Sequence, residues 1–260
     1  MESENPTLNT KEADEPRSLG AWLWSEFKFF AKLGAFILAF ITLVWGHFKI
    51  PSESMQPTLE VGDHLYVSKY AYGYSKHSLP YLLHNLPLPE GRIFSRLPER
   101  GDVVVFRNPN SGIVMIKRVA ALPGDRLQVR RGQLYINGVA VKRDRIDGRL
   151  YREHATKRVR SVNVYNQSLP DMVDSFVIYE RDDTHRLDNT PVFIIPDDNL
   201  FFMGDNRDNS IDSRDPQHGP GIVPMEYVIG RADRVMFSFK RCNRNEDLYC
   251  PAKKRVMKKL

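Results

Sequence analysis

The chain has 260 residues, of which 42% are hydrophobic and 27% are charged, a balance that is ordinary for a globular protein and excludes wholesale disorder. This length has room for one membrane anchor and one sizeable domain, or for two small domains. The formal net charge is +6, and residues 240–260 alone carry eight Lys or Arg against two acidic residues, so the whole surplus lies at the C-terminal end.

An apolar segment from Phe29 to Gly46 is eighteen residues long and carries one charge, at Lys32. A helix of this length covers about 27 Å, close to the roughly 30 Å hydrocarbon core of a bilayer. A cleaved signal peptide would require a small-residue cleavage site after the segment, and a buried soluble helix would require a polar face. The segment has neither, so we predict one transmembrane helix over residues 25–48, behind a disordered leader of residues 1–24.

Basic residues are more numerous before this apolar segment than after it. Positively charged flanks favour the cytoplasmic side of a membrane, so the distribution predicts a cytoplasmic N-terminus and a large domain, residues 49–240, outside the cytoplasm. The residues that carry the bias are Arg17, Lys28 and Lys32 on the N-terminal side and Lys49 on the other.

The C-terminal segment, residues 241–260, is basic and contains both cysteines, Cys242 and Cys250. Its charges do not alternate with aromatic residues that would stack on bases, so a solvated tail is favoured over a contact with nucleic acid or anionic lipid. Outside the cytoplasm the two cysteines would form a local disulfide, and inside it they would remain free thiols. Two thiols without nearby histidines do not supply the four ligands that are usual for structural zinc.

Short strand-like segments dominate the chain after the apolar segment. The clearest is a hairpin in which Gln133–Ile136 and Val139–Val141 flank Asn137-Gly138, because Asn-Gly supplies the positive φ values of a type I′ turn. Further apolar or alternating segments predict strands at 64–71, 102–106, 113–121, 192–195, 200–203 and 227–239. The sequence therefore predicts a mostly β domain, in which the charged residues 142–190, with one strand-like segment at Val173–Glu180, form an inserted subdomain.

Two serines, Ser52 and Ser54, lie between Pro51 and Pro57 directly after the apolar segment. Proline fixes its own φ and restricts the residue before it, so this backbone is predicted to be stiff. A hydroxyl on a rigid segment at a membrane boundary is suited to a nucleophile that acts on a membrane-delivered substrate. A polar linker is the more common meaning of such a segment when it is considered alone.

A lysine on a strand offers a way to activate one of these hydroxyls. No HExxH or G-x-S-x-G motif occurs in the sequence, so neither a metalloprotease helix nor a Ser-His-Asp elbow is indicated. Ile113, Met115 and Lys117 share one face of a predicted strand, and burial of that face would lower the pKa of the lysine. A neutral amine can serve as the general base for serine, although a lysine that reaches solvent from an edge strand is more common.

A polar segment, Gly204–Arg214, superficially resembles a calcium-binding loop. Arg207 and Arg214 neutralise its carboxylates, and its spacing does not match an EF-hand, so no metal is predicted there. We interpret it as a tight turn held by Arg–Asp pairs that presents Ser210 and Asp212 to a neighbouring site.

Four segments together resemble the conserved boxes of bacterial type I signal peptidases, and they occur in the order of that family behind one apolar segment. Residues 51–59, PSESMQPTL, followed by Gly62-Asp63, resemble the nucleophile box. The next two boxes are matched by Arg100–Phe106 and Ile116–Asp125, and the last by Gly204–Arg214.

The resemblance implies a role for each matched side chain. Ser54 would be the nucleophile and Lys117 the general base, while the Ser52 hydroxyl and the Ser54 backbone N–H would form the oxyanion hole. The residues that would support them are Ser210, which orients the Lys117 amine, and Asp212 and Arg214, which brace the loop. The implied substrate-binding walls are Phe48, Ile50, Pro51, Met55, Leu59, Met115 and Ile116. No metal or cofactor is implied.

Two features depart from the family pattern. Glu53 stands where many members have glycine, so its side chain must point away from the substrate. The larger members also have two membrane spans and a longer insertion, whereas this chain has one apolar segment and a short insertion.

The same resemblance implies a partial-barrel β-sheet catalytic domain of the signal peptidase type, behind one N-terminal transmembrane helix in the bacterial inner membrane. The domain would be periplasmic, close to the lipid bilayer and the secretion translocon. It would remove signal peptides from secretory preproteins after Ala-x-Ala sites. Two other classes remain open: a membrane-anchored β domain that binds peptides or lipids without cutting them, and a self-cleaving Ser/Lys repressor, which would carry a DNA-binding helix pair upstream.

Overall fold

The computed structural model describes residues 18–79, 85–239, 248–251 and 255–260. The chain divides into two compact units, residues 1–40 and 41–260. The N-terminal helix, α1, spans Leu19–Leu43, and none of its residues is buried. In the portions of the chain just given, no helix has the length and apolar character needed to cross a bilayer.

The predicted helix boundaries, 25–48, are wrong at both ends. The helix begins at Leu19, before the apolar segment, and it ends at Leu43. The last residues of the predicted helix belong instead to the first strand, Trp45–Lys49, because the backbone there pairs antiparallel with a second strand, with Phe48 opposite Leu65. Aromatic residues pack well on a pleated sheet surface. Pairing with the second strand therefore decides the conformation here, although the apolar composition favours a continued helix.

Fifteen strands follow α1 in the described residues. In chain order, β1 to β15 are Trp45–Lys49, Asp63–Ser68, Val103–Arg107, Val114–Ala121, Arg126–Arg130, Gln133–Ile136, Val139–Ala140, Lys142–Arg152, Val159–Ser168, Phe176–Glu180, Phe193–Ile194, Asn199–Met203, Val223–Pro224, Val228–Ser238 and Lys258–Lys259. The predicted mostly β domain is therefore confirmed. In the predicted hairpin, Asn137 and Gly138 adopt φ values of 53° and 81°, as a type I′ turn requires.

The strands form three antiparallel sheets. The largest is an open, curled half-barrel of eight strands in the order β1-β2-β14-β3-β4-β12-β13, with β15 paired to β14. A four-stranded sheet has the order β11-β5-β6-β7, and a three-stranded sheet has the order β10-β9-β8. Strand β3 is almost continuously buried, as expected for a strand with apolar packing on both faces.

Two hydrophobic clusters cover the opposite faces of the central strands. Val105 belongs to a cluster with Ile50, Met55 and Leu59, whereas its neighbour Val104 belongs to the other. Successive side chains of a strand point to opposite faces, so this alternation is what the backbone requires. One face of β3 and β4 is thereby packed against the segment that carries Ser54.

Residues 142–190 are more regular than predicted. Besides β10 they contain two long strands, β8 and β9, which pair along almost their whole length. Val162 and Val164 alternate along β9 and pack with Tyr151 and Tyr179 in a small core. Charged residues fill the exposed face of β8, which hid this period-two pattern in the sequence.

The basic C-terminal segment also departs from the predicted solvated tail. Arg255 is buried, and its guanidinium donates to Asp63 Oδ2 at 2.7 Å and to the Thr58 carbonyl at 2.8 Å. Strand β15 then pairs with β14. Cys250 is disulfide-bonded, while Cys242 lies outside the described residues.

Candidate active site

The segment that carries Ser54 joins β1 to β2 and is held at both ends. The backbone N–H of Ile50 donates to the Asp63 carbonyl at 2.9 Å, and that of Gly62 donates to the Ile50 carbonyl at 2.9 Å. Met55 and Leu59 anchor its middle in the hydrophobic cluster, with 1% and 0% of their surface exposed. The apolar side chains of the segment therefore fix the backbone from which Ser54 projects.

Lys117 reaches Ser54 from the centre of β4. Its Nζ lies 2.5 Å from Ser54 Oγ, although 63 residues separate the two in sequence. The same nitrogen donates to the carbonyl of Ile116 at 3.1 Å. Only 3% of Lys117 and 7% of Ser54 are exposed, so the two groups meet in a largely water-free position.

Burial lowers the pKa of Lys117 from its usual 10.5 to about 8. The carboxylates of Asp212 and Asp205 oppose this change, and the charge of Arg214 adds to it. A useful fraction of the amine is therefore neutral near physiological pH, and a neutral amine can accept a proton from a neighbouring hydroxyl.

Ser52 lies at the exposed side of this pair. Its Oγ is 3.4 Å from Ser54 Oγ, and the residue is exposed while Ser54 is buried. The serine hydroxyls thus line one edge of the site, with the more accessible one toward solvent.

The Gly204–Arg214 segment, called the 204–214 loop below, packs directly on the segment that carries Ser54. The backbone N–H of Asn206 donates to the Ser54 carbonyl at 3.0 Å, and its side-chain amide donates to the Glu53 carbonyl at 3.2 Å. A Cβ atom on Gly204 would lie 2.5 Å from the Ser54 carbonyl oxygen, so glycine permits the close approach of the two backbones.

Asp212 and Arg214 form a buried ion pair within this loop. Arg214 Nε donates to Asp212 Oδ1 at 2.9 Å, and the backbone N–H of Gly204 donates to Oδ2 at 3.0 Å. Burial opposes ionisation of the Asp212 carboxyl, but Arg214 and these hydrogen bonds outweigh it and lower its pKa. The predicted bracing pair is therefore brought together.

Ser210 does not make the predicted contact with the Lys117 amine. Its hydroxyl is buried against Gly204 and has no hydrogen-bond partner in the described residues. The hydrogen bonds of Lys117 go instead to Ser54 and Ile116.

The predicted substrate-binding residues fall into three groups. Ile50, Met55 and Leu59 are core residues of one cluster, and Phe48 and Ile116 pack against it. Met115 packs against the cluster on the other face of the sheet. Pro51 is exposed.

The structure adds supporting residues that the sequence did not indicate. Arg118, next to Lys117, donates two hydrogen bonds to Asp205, at 2.8 and 2.7 Å, and Thr58 donates to the same carboxylate at 2.5 Å. This network joins three of the four motif segments. An Arg inside an apolar strand of the sequence could have indicated this network, because a buried charge requires a partner.

The carboxylate of Glu53 contacts the turn between β8 and β9. It accepts a hydrogen bond from the backbone N–H of His154 at 2.8 Å, in the turn between β8 and β9. Glu53 therefore ties the segment that carries Ser54 to the three-stranded sheet.

A wide cleft of about 1630 Å³ opens elsewhere on the domain and includes Thr58, Arg118, Asp171, Arg231 and Lys258 in its lining. Neither Ser54 nor Lys117 lines it. Cleft size alone would therefore point away from the contact between the Ser54 hydroxyl and the buried Lys117 amine, and we place the candidate active site by its chemistry.

Comparisons with known proteins agree with the family suggested by the motifs. The family model described as "Signal peptidase, peptidase S26" matches residues 23–237. A signal peptidase I of Rickettsia typhi is 37% identical over 224 residues, covering 83% of this chain and 80% of that protein. A signal peptidase I of Rickettsia conorii is 35% identical over 246 residues, covering 92% and 86%.

A solved signal peptidase I from Enterococcus faecalis is 27% identical and covers 52% of this chain and 97% of its own, with a TM-score of 0.31, too low to compare the folds. The family match and the two curated relatives extend across both the segment that carries Ser54 and the 204–214 loop. The chain belongs to the signal peptidase family, peptidase S26.

Proposed function

We propose that this chain acts as a signal peptidase I, a serine endopeptidase that removes signal peptides from secretory preproteins with Ser54 as nucleophile and Lys117 as general base. Family membership supports the reaction class. The observation that carries the residue assignment is the 2.5 Å contact between Lys117 Nζ and Ser54 Oγ at a fully enclosed amine. Histidine takes no part in the proposed mechanism.

The reaction begins when neutral Lys117 accepts the Ser54 hydroxyl proton as Oγ attacks the scissile carbonyl. The tetrahedral intermediate collapses to a Ser54 ester, and the Lys117 ammonium returns its proton to the leaving amine of the mature chain. Lys117 then accepts a proton from water as the water attacks the ester. The Lys117 ammonium returns this proton to Ser54 Oγ when the ester bond breaks, which releases the signal peptide as a carboxylic acid and restores the neutral amine. Both steps need the same neutral amine, so the lowered pKa of Lys117 serves acylation and deacylation alike.

The oxyanion of each tetrahedral intermediate is proposed to accept hydrogen bonds from the Ser52 hydroxyl and the Ser54 backbone N–H. The 3.4 Å separation of the two serine oxygens supports this assignment. Such fixed donors stabilise charge that develops only in the transition state, so they accelerate the chemical step.

Substrate selection is proposed to depend on shallow pockets that accept Ala-like side chains at positions −1 and −3. Ile50 and Ile116, with Phe48, Met55 and Leu59, supply apolar walls on one side of the sheet, and Met115 lies on the other. Pro51 is proposed to contact the substrate from the exposed rim. An extended substrate can add to the sheet as a further strand, with alternate side chains entering the pockets.

Attachment to the bacterial inner membrane is proposed for α1. Its large apolar side chains are exposed, among them Trp22, Phe30 and Phe36, so a lipid environment would cover surface that the protein leaves bare. The disulfide at Cys250 supports a periplasmic catalytic domain, because disulfides persist in oxidising compartments. Proximity to the secretion translocon would follow from this location.

The decisive experiment incubates the full chain in detergent with a preprotein and separates the products by size. We expect one shortened product with the wild type, and losses of at least about 10⁴-fold with Ser54→Ala and Lys117→Ala. The matched control is Lys142→Ala, since that lysine is 77% exposed and should leave turnover unchanged. Full turnover by Lys117→Ala would remove lysine from the role of base.

The same experiment separates the competing functions. A peptide-binding domain would leave the preprotein intact, and a self-cleaving protein would shorten only itself. Membrane attachment is measured separately, by comparing the fractionation of the full chain with that of a chain lacking residues 1–43. We expect the truncated chain to leave the membrane fraction.

A further inference from the structure

A second cluster of side chains lies where β10 leads into the turn of residues 181–188, beside the 204–214 loop. His185 and Asp188 come from that turn, and Asp208 comes from the loop. Their potential ligand atoms all lie within 4.8 Å of one another. The three residues have no role in the mechanism proposed for Ser54 and Lys117.

Each carboxylate in this cluster has one oxygen engaged and one free. Asp188 is fully buried, and its Oδ2 accepts from the backbone N–H of His185 at 2.7 Å. Asp208 is 6% exposed, and its Oδ2 accepts from the backbone N–H of Arg181 at 2.6 Å. The Oδ1 atoms of both are buried and have no hydrogen-bond partner among the described residues.

The neighbouring arginines do not satisfy these oxygens. The side-chain donors of Arg214 go to Asp212 and to the Arg207 carbonyl. The guanidinium of Arg181 donates to the backbone carbonyl of Asp208 at 3.0 Å, and not to its carboxylate. Leaving a buried, charged acceptor without a partner is costly, so the arrangement requires a ligand that supplies positive charge.

We propose that His185, Asp188 and Asp208 bind a divalent transition-metal cation, for which Zn²⁺ is the best match, and that this cation fastens the 181–188 turn to the 204–214 loop. One imidazole and two carboxylates suit zinc better than Mg²⁺ or Ca²⁺, which prefer all-oxygen sites. A water molecule would complete a tetrahedral shell.

The spacing and the access route fit this assignment. Zinc–ligand distances of about 2.0–2.1 Å place tetrahedral ligands roughly 3.3–3.5 Å apart. His185 Nδ1 and Asp208 Oδ1 are 3.8 Å apart, so a small closure would complete the site. The backbone N–H of Leu187 donates to the same nitrogen at 3.5 Å, and the cation would replace this long hydrogen bond. The side chain of His185 is 35% exposed, which gives an ion a route from solvent.

The consequence for the protein is mechanical. Asp208, which would bind the cation, lies in the same loop as Asn206. The backbone N–H of Asn206 donates to the Ser54 carbonyl. The cation would therefore stabilise the loop on which the position of Ser54 depends, while it remains outside the reaction itself.

The test uses the full chain in detergent after removal of metals with a chelator, titrated with Zn²⁺ in a calorimeter and with Co²⁺ in a visible-light spectrometer. We expect one equivalent to bind, with the intense visible bands of tetrahedral Co²⁺ and a higher melting temperature. Asp188→Asn, which keeps the shape of the side chain, should weaken Zn²⁺ binding by more than about tenfold.

The control variant is His64→Ala, because His64 Nδ1 lies 2.8 Å from His47 Nε2 in a histidine pair that does not belong to the proposed site. It should leave the Zn²⁺ affinity unchanged. His185→Ala, at a partly exposed position, provides a second ligand deletion if Asp188→Asn fails to fold. Absence of saturable binding, or binding that is lost in His64→Ala and retained in His185→Ala, would overturn the proposal.

Discussion

The backbone N–H of Asn206 donates a 3.0 Å hydrogen bond to the carbonyl of Ser54. This bond joins the last motif in the sequence to the first, and it acts on the main chain of the proposed nucleophile itself. The direction in which the Ser54 hydroxyl points therefore depends on how closely the 204–214 loop approaches. That approach is possible because Gly204 has no side chain.

Gly204→Ala should lower kcat more than it lowers stability. Its new Cβ would lie 2.2 Å from Ser210 Oγ and 2.5 Å from the Ser54 carbonyl oxygen, so the loop or the Ser54 backbone must move. A displacement of about 1 Å at a reacting group can cost roughly 10²-fold in rate. Preprotein turnover and thermal melting measure the two effects.

Gly148→Ala provides the matched control, since its nearest neighbours would be 3.8 Å or more from the added atom. It should leave turnover unchanged. Equal turnover by the two alanine variants would show that the loop approach does not position Ser54.

Activity should rise with pH and level off above about pH 8. The folded-state pKa of Lys117 is lowered from 10.5 to about 8, and the active form is the neutral amine, which accumulates as pH increases. About one tenth of the sites are active at pH 7 and about one hundredth at pH 6, so kcat/KM should fall about tenfold per pH unit there. Initial rates between pH 6 and pH 9, with unfolding monitored in parallel, measure this profile. A flat profile over a range where the protein stays folded would contradict it.

Ser52→Ala should reduce kcat by about 10²–10³-fold with little change in KM. Its hydroxyl is proposed to bind the oxyanion, which exists only in the transition state and the intermediates. Ser52 is exposed, so the substitution should leave the melting temperature unchanged. Ser52→Thr, which keeps a hydroxyl, should recover part of the rate, and equal rates for the two variants would exclude a role for the hydroxyl.

Asp212→Asn should destabilise the protein by about 3–5 kcal/mol, because it leaves the Arg214 charge buried without its counter-ion. The side chains of this pair are 1% and 0% exposed. The control is Asp144→Asn. Asp144 forms a solvent-exposed ion pair with Lys142, with 62% of the Asp144 side chain and 77% of the Lys142 side chain exposed, so the free energy of unfolding should fall by only about 0–1 kcal/mol. Denaturant unfolding measures both values. Similar losses at the two positions would mean that the buried pair does not hold the loop.

Trimming Ile50 and Ile116 to Ala should allow larger residues at position −3 of the substrate. Both side chains pack in the hydrophobic cluster on the Ser54 side of the sheet, and their removal would enlarge the pocket that we propose there. Ile50 is also a core residue, so a stability loss of about 2–5 kcal/mol is expected with it. Cleavage of preproteins with Val or Leu at −3 tests specificity, and Val105→Ala, in the same cluster, controls for instability. Unchanged specificity in the double variant would exclude this pocket.

The parts of the fold that were predictable are those with local signals. The Asn137-Gly138 hairpin needs only the φ preferences of two residues, and the apolar strands β3 and β4 stand out from their surroundings. Strand β8 was missed because its charged side chains conceal its period, and β1 was missed because its aromatic residues extend an apolar segment. In both cases a partner strand decides the conformation.

The proposed site shows the same division. Ser54 and Lys117 are recognisable from their motifs, but the Glu53–His154 and Arg118–Asp205 contacts join residues 101 and 87 positions apart. No local pattern specifies such partners.

By itself, the sequence determined which residues can react and to which family their order belongs. Both depend only on residue types and on the spacing of the motifs. Only the tertiary structure decided that the amine of Lys117 is enclosed, that Ser210 does not hydrogen-bond to that amine, and that Arg255 is buried against Asp63. The physical reason is that solvent exclusion and charge pairing depend on segments distant in the chain. A side chain's pKa and its partners are therefore set by packing.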